Sequence, residues 1–185
     1  MKILLLISIL ILSLFANDAK DLQNTMQKKS DAIISILKNN KLTKENKYDN
    51  IDKEINNLFN YNIMAMLSIG KKGRKLLNPT QKKEFTTLFM QHIKNSYFEK
   101  SDLILDKKIV MKSSKEEKKR IFVLADIVGP KDTSELIYKF HKHQKRGWLI
   151  YDVEISGVSI ISSYRTQFKE ILKDNNPHKL IDILR

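Results

Sequence analysis

Four stretches between residues 103 and 155 place apolar side chains at every second position, each parted from the next by a short polar turn. The stretches are 103–111, 121–128, 135–142 and 148–155, and the turns are SSKEEKK, GPKDTS and HQKRG. A period of two marks strands with one buried face, and connections this short join antiparallel neighbours. The predicted centre of the fold is therefore a four-stranded antiparallel meander. At Gly157 the rhythm changes. Leu149, Tyr151, Val153 and Ile155 alternate before it, whereas Ile160, Ile161, Tyr164, Phe168, Ile171 and Leu172 keep helical spacing after it. A half-buried strand thus feeds an amphipathic helix across one glycine.

Upstream, the spacing predicts helices over 18–37, on Leu22, Met26, Ile33 and Leu37, and over 43–59, on Tyr48, Ile51, Ile55, Leu58 and Phe59. A shorter helical segment at 63–67 stops at Gly70, and KKGRK follows as a basic turn. Asn78 and Pro79 suit the cap and first position of the longest helix, with Gln81 placed to complete a capping box. Phe85, Leu88, Phe89, His92, Ile93, Ser96 and Tyr97 share its face. The stretches SIISSYRTQFKEILKDN and PHKLIDIL supply the returning helices. Helices, then a meander, then helices make an α+β domain over 17–185, with no repeat and no linker.

The chain begins MKILLLISILILSLFA: one early lysine, an apolar run and a small residue, Ala16. This is the pattern of a cleaved signal peptide over 1–16, and the run is short of the roughly 20 residues that span a bilayer. Export places the mature chain in the periplasm and removes nucleic acid as a partner. The net charge is +13. In an exported chain that surplus fits anionic lipid headgroups or acidic envelope partners, and scattered solubilising lysines explain it equally. There is no cysteine, so packing alone holds the fold.

No set of residues assembles an active site, and the chain reads as neither an enzyme nor a holder of a metal or cofactor. His141 and His143 lie on one side of a strand without a completing carboxylate spacing, and His92 sits on an apolar helix face. Ser156 and Ser159 flank Gly157 outside any nucleophile-elbow pattern and suit helix capping. Asp152 and Glu154 suit charge pairing. What remains is a surplus of apolar side chains facing one space: Leu136, Tyr138 and Phe140 on one strand, Leu149, Tyr151, Val153 and Ile155 on the next, and Phe85, Phe89, Tyr97, Tyr164 and Phe168 on two helices. A filled core and an apolar cavity give the same spacing.

LFNYNIMAMLSIGKKGRKLLNPTQKKEFTTLFMQHIKNSY, followed by GWLIYDVEISGVSIISSYRTQF and a terminal LIDIL, resembles the MlaC family, the periplasmic phospholipid-binding or toluene-tolerance auxiliary proteins. Trp148, Tyr151, Asp152, Gly157, Val158, Ser159, Tyr164, Arg165 and Phe168 carry the most specific part of the resemblance, with Gly70, Gln81, Phe85 and Tyr97 adding to it. The resemblance implies an NTF-two-like cone whose curved sheet and helices enclose an apolar pocket for acyl chains, Val158 included in its lining. It also implies a soluble, monomeric shuttle between an outer-membrane lipoprotein complex and an inner-membrane MCE-domain transporter, keeping the outer membrane's lipids asymmetric. The chain departs from the family at Gly73, where relatives often carry an aromatic, and at Ser156.

A soluble carrier answers a physical need. Each CH₂ exposed to water costs about 0.8 kcal/mol, so an acyl chain costs on the order of 12 kcal/mol. Lys71, Lys72, Arg74 and Lys75 are expected to meet partners or headgroups; Arg165 suits a structural pair or a headgroup. The rival reading is an envelope interaction module with a filled core and no lipid.

Overall fold

The computed structural model describes the backbone of residues 2–185 and the side chains of residues 18–185; the segment expected to be a signal peptide, 1–16, lies outside the described side chains. Helices α1 (Lys2–Lys38), α2 (Lys44–Ile55), α3 (Tyr61–Ser68), α4 (Gly70–Leu76) and α5 (Pro79–Glu99) precede the sheet. Strands β1 (Lys108–Glu117), β2 (Arg120–Val128), β3 (Thr133–His143), β4 (Gly147–Ile155) and β5 (Val158–Ser159) follow, and α6 (Ile160–Ile171) and α7 (His178–Asp182) close the chain. The strands lie in chain order, all neighbours antiparallel.

The expected α+β order holds, but the sheet has five strands rather than four. Ser156 (φ 49°) and Gly157 (φ 79°) form a two-residue turn of the hairpin type, so that Val158 pairs with Ile155 and Ser159 with Glu154. A two-residue strand has no alternation to read. The expected basic turn at KKGRK is instead α4: Gly70, at φ 63°, ends α3 and the chain coils again at once. Gly73 in α4 is buried. A Cβ there would lie 2.7 Å from Ile69 Cβ and 3.0 Å from Leu172 Cδ1, so the missing side chain lets α4 pack against the end of α6. Residues 101–104 form a 3-10 turn, and β1 starts only at Lys108.

A bulge decides which residues of β4 face inward. Lys139 pairs with Asp152 but Phe140 pairs with Ile150, leaving Tyr151 as the extra residue. Ile150, Val153 and Ile155 therefore share a face with Phe140, Tyr138 and Leu136. Leu149 and Tyr151 share the other with His141, whose ring lies 6.0 Å from that of Tyr151. Helix α1 covers the inner face: Gln27 Nε2 donates to Ile109 O (2.9 Å), Gln27 Oε1 accepts from Met111 N (2.9 Å), and Gln23 bonds Ser114. Trp148 Nε1 donates to Asp18 Oδ2 at 2.9 Å, tying α1 to the start of β4.

The filled core lies between α3, α5 and α6. Phe89 meets Tyr164 edge-on at 5.2 Å and Phe168 at 6.1 Å, and Phe85 meets Phe168 at 5.6 Å. Asn78 and Gln81 form the capping box of α5. Asp152 joins β4 to α6, accepting from Ser159 Oγ (2.7 Å) and Ile161 N (3.2 Å). Lys139 pairs with both Asp152 (3.3 Å) and Glu154 (2.5 Å), realising the expected charge pairing.

Residues 58–60 run beside β4, with Asn60 N donating to Ile150 O and Ile150 N to Leu58 O. Asn60 Oδ1 caps α3 by accepting from Ile63 N, so its amide NH₂ faces His141 Nε2 at 3.0 Å and requires a neutral ring. Burial holds the His141 pKa below its ordinary 6.5, against a backbone hydrogen bond at Lys142 that raises it and with smaller help from His143 and Arg120. The unfolded chain then binds the proton first as pH falls. This part of the stability is full above pH 6.5 and is lost as pH drops from there through the depressed folded value. Urea unfolding between pH 7 and pH 5 should show that loss in the wild type and a flatter profile in His141→Gln, which keeps an acceptor without titrating; identical slopes would remove His141 from the account.

Candidate functional site

Between the inner face of the sheet and helices α1, α2, α5 and α6 the side chains leave a cavity of about 770 Å³. Met26, Ile33 and Leu37 line it from α1, Ile51 and Ile55 from α2, and Ile93 and Tyr97 from α5. The sheet contributes Ile109, Ile127, Leu136, Tyr138 and Val153, and α6 contributes Tyr164. The opening lies where β1 and β3 begin and β2 and β4 end. Its rim is apolar: Leu103 is 66% exposed, Val158 61% and Ile155 38%. Large apolar groups left in water at the mouth of an apolar space mark a surface that something covers.

Among the described residues the charged side chains that line the cavity are Lys29, Lys94 and the exposed Lys100. At its edges Lys29 pairs with Glu54 (2.7 Å) and Lys94 with Asp52 (2.6 Å). Burial pushes the Tyr138 hydroxyl up to about 12, against a hydrogen bond from Ser30 that lowers it. Burial raises Tyr97 and Tyr164 as well, so the tyrosines stay neutral. Tyr97 Oη is shielded from solvent and has no hydrogen-bond partner among the described residues. Such a donor lacks the compensation that buried polar groups normally have.

Of the residues expected along the wall, the structure brings together Tyr97, Leu136, Tyr138, Val153, Ile155, Val158 and Tyr164. Phe85, Phe89, Phe140 and Phe168 are placed in the filled core instead, where they stack on one another or on neighbouring strands. Leu149 and Tyr151 fall on the far side of the sheet, because the β4 bulge reverses their facing. The α1 and α2 residues were missed as wall residues. Their periodicity was plain, but nothing in it said which space they would face.

The basic residues expected to meet partners or headgroups lie on α4 and α6, away from the cavity lining. Three of them make helix-end bonds: Lys72 Nζ donates to Leu172 O (3.0 Å), Arg74 Nε to Gly70 O (3.2 Å) and Arg165 Nε to Leu67 O (2.9 Å). Lys71 and Lys75 are exposed. His143 Nδ1 accepts from Lys145 N and Arg146 N and so shapes a turn.

No curated protein matches this chain. A solved structure of the phospholipid-binding protein from Ralstonia solanacearum in complex with a phospholipid is similar to it, at 17% identity and a TM-score of 0.76, over 88% of this chain and 93% of that one. At that identity the likeness shows a shared fold. The signature of the MlaC protein family matches residues 27–185, which takes in every named wall residue of the cavity except Met26, and the chain belongs to that family.

Proposed function

We propose that this protein binds a phospholipid with its acyl chains in the cavity and carries it through the periplasm. The observation that carries the reading is a predominantly apolar space of about 770 Å³ with Leu103, Val158 and Ile155 exposed at its rim, a volume within the roughly 300–1,000 Å³ of small-molecule sites. Family membership and the phospholipid held by the Ralstonia solanacearum protein support it. Contact with the tails is non-directional, so no conspicuous ligand set is needed, and the phosphate stays in water at the mouth rather than losing its hydration. An ester carbonyl entering beside Tyr97 supplies the acceptor that its hydroxyl lacks.

In this reading residues 17–185 are the exported monomer and form an NTF-two-like cone. It collects and delivers lipid between an outer-membrane lipoprotein complex and an inner-membrane MCE-domain transporter, and so keeps the outer membrane asymmetric. The carrier does no covalent chemistry.

Native mass spectrometry of protein purified from cells tests the binding. A mass increment matching phospholipid is expected; an empty protein under gentle conditions sinks the proposal and favours a filled envelope module. Tyr151→Asp should keep that increment, since Tyr151 lies across the sheet from the cavity.

A further inference from the structure

The end of the sheet opposite the cavity mouth has a different chemistry. Arg120 pairs with His141, so the β1–β2 and β3–β4 hairpins end side by side, about 30 Å along the strands from the rim. One tip carries Lys118, Lys119 and Arg120; the other carries Lys142, Lys145 and Arg146. Lys142 pairs with Asp18, and Arg120 lies over the Tyr151 ring at 5.4 Å. Among the described residues Lys118, Lys119, Lys145 and Arg146 have no carboxylate within ion-pair distance, although Glu116 and Glu117 share the first tip, Glu117 held by Lys115, and Arg146 donates to Asn57 O and Phe59 O. At the cavity, Lys29, Lys94 and nearby Lys107 each have an acidic partner, while exposed Lys100 has no carboxylate within ion-pair distance among the described residues.

The backbone adds an independent observation. Lys118 (φ 47°) and Lys119 (φ 64°) form a two-residue hairpin turn in the left-handed region, where Asn-Gly is the favoured pair. Side chains with a Cβ are held there against local preference, as happens where a position serves more than the fold.

We propose that this basic end docks on a membrane surface bearing anionic phospholipid headgroups, with the cavity mouth turned away from that surface. Lysines on flexible stems at turn tips act as point charges. They suit a diffuse layer of phosphates better than the fixed geometry of a shaped acidic partner, and a cluster of this size is what anionic bilayers attract. Half-buried Trp148, with Lys142 over its ring at 5.4 Å, lies at the same end, and indole rings favour the headgroup level. The docking goes beyond the cavity reading and does not depend on it.

Flotation with vesicles of phosphatidylcholine alone, and of phosphatidylcholine mixed with phosphatidylglycerol, tests this on protein recovered from cells expressing the full chain. Binding to the anionic vesicles is expected to be at least about tenfold tighter and to weaken with salt. Lys118→Asn with Lys119→Gly removes two charges and installs the favoured turn pair, so it should lower anionic binding about 30-fold without lowering the melting temperature. Equal binding to both vesicle types, binding unchanged in the double variant, or capture by polyglutamate with none by anionic vesicles would each overturn the proposal. Native mass spectrometry of the double variant keeps the two readings apart, because cavity lipid should persist while vesicle binding falls.

Discussion

Ile33→Trp combined with Ile127→Trp empties the cavity of lipid while the domain stays folded. Both residues are half-buried and line the space, one from α1 and one from β2. An indole at either place grows into void rather than into packed atoms, which avoids the strain of overfilling a core. Each added ring system displaces roughly four methylenes of a bound tail, at about 0.8 kcal/mol apiece, or about 3 kcal/mol per site. The single variants should then lose affinity about a hundredfold. The double should show no lipid increment in native mass spectrometry, with unchanged far-ultraviolet circular dichroism. Retention of lipid at the wild-type ratio would mean that the tails lie elsewhere.

Phe89→Ala should produce the opposite pattern. Phe89 is fully buried, with the rings of Phe85, Tyr164 and Phe168 around it at 5.8, 5.2 and 6.1 Å. Removing a buried phenyl ring costs about 3–5 kcal/mol, and these ring pairs place the site at the upper end. In a domain of this length that lowers the melting temperature by on the order of 10 °C. Phe89 does not line the cavity, so the fraction that remains folded keeps its lipid. A small thermal shift with lost lipid would reverse the roles assigned here to core and wall. The two variants separate residues that a sequence shows as one apolar set.

That separation explains how far the chain could be read before its structure. Three of the long strands were legible because period-two alternation follows from one buried face, whereas the first, expected at 103–111 with SSKEEKK as its turn, runs Lys108–Glu117 because its charged second half shows no apolar rhythm. The capping box at Asn78 and Gln81 was legible because its chemistry is local. The facing of β4 was not. One extra residue at Tyr151 turns Leu149 and Tyr151 outward and Ile150 inward, and a bulge leaves no compositional mark. The fifth strand escaped because Val158 and Ser159 are too few to show a rhythm. The α1 wall escaped for a different reason: Met26, Ile33 and Leu37 announced an apolar stripe, but which surface it would meet is a property of the whole fold. KKGRK read as a turn because glycine and charge dominate it, yet Gly73 proved to be a close contact within a helix.

The closing of the cavity by α1 also has a consequence in time. Gln27 meets the Ile109 carbonyl across 82 positions of chain, and Gln23 meets Ser114 across 91. The stripe of α1 is among the first segments made, and its partners arrive only after α5 is complete. Contacts of such long reach form late, because the intervening loop must be closed before they repay it. Until β1 and β2 arrive, the apolar stripe that will roof the cavity has only the neighbouring helices to cover it, and a stripe left partly bare is prone to aggregation. The interval between the making of Met26 and that of Ile109 is the stage of synthesis at which this stripe is least covered.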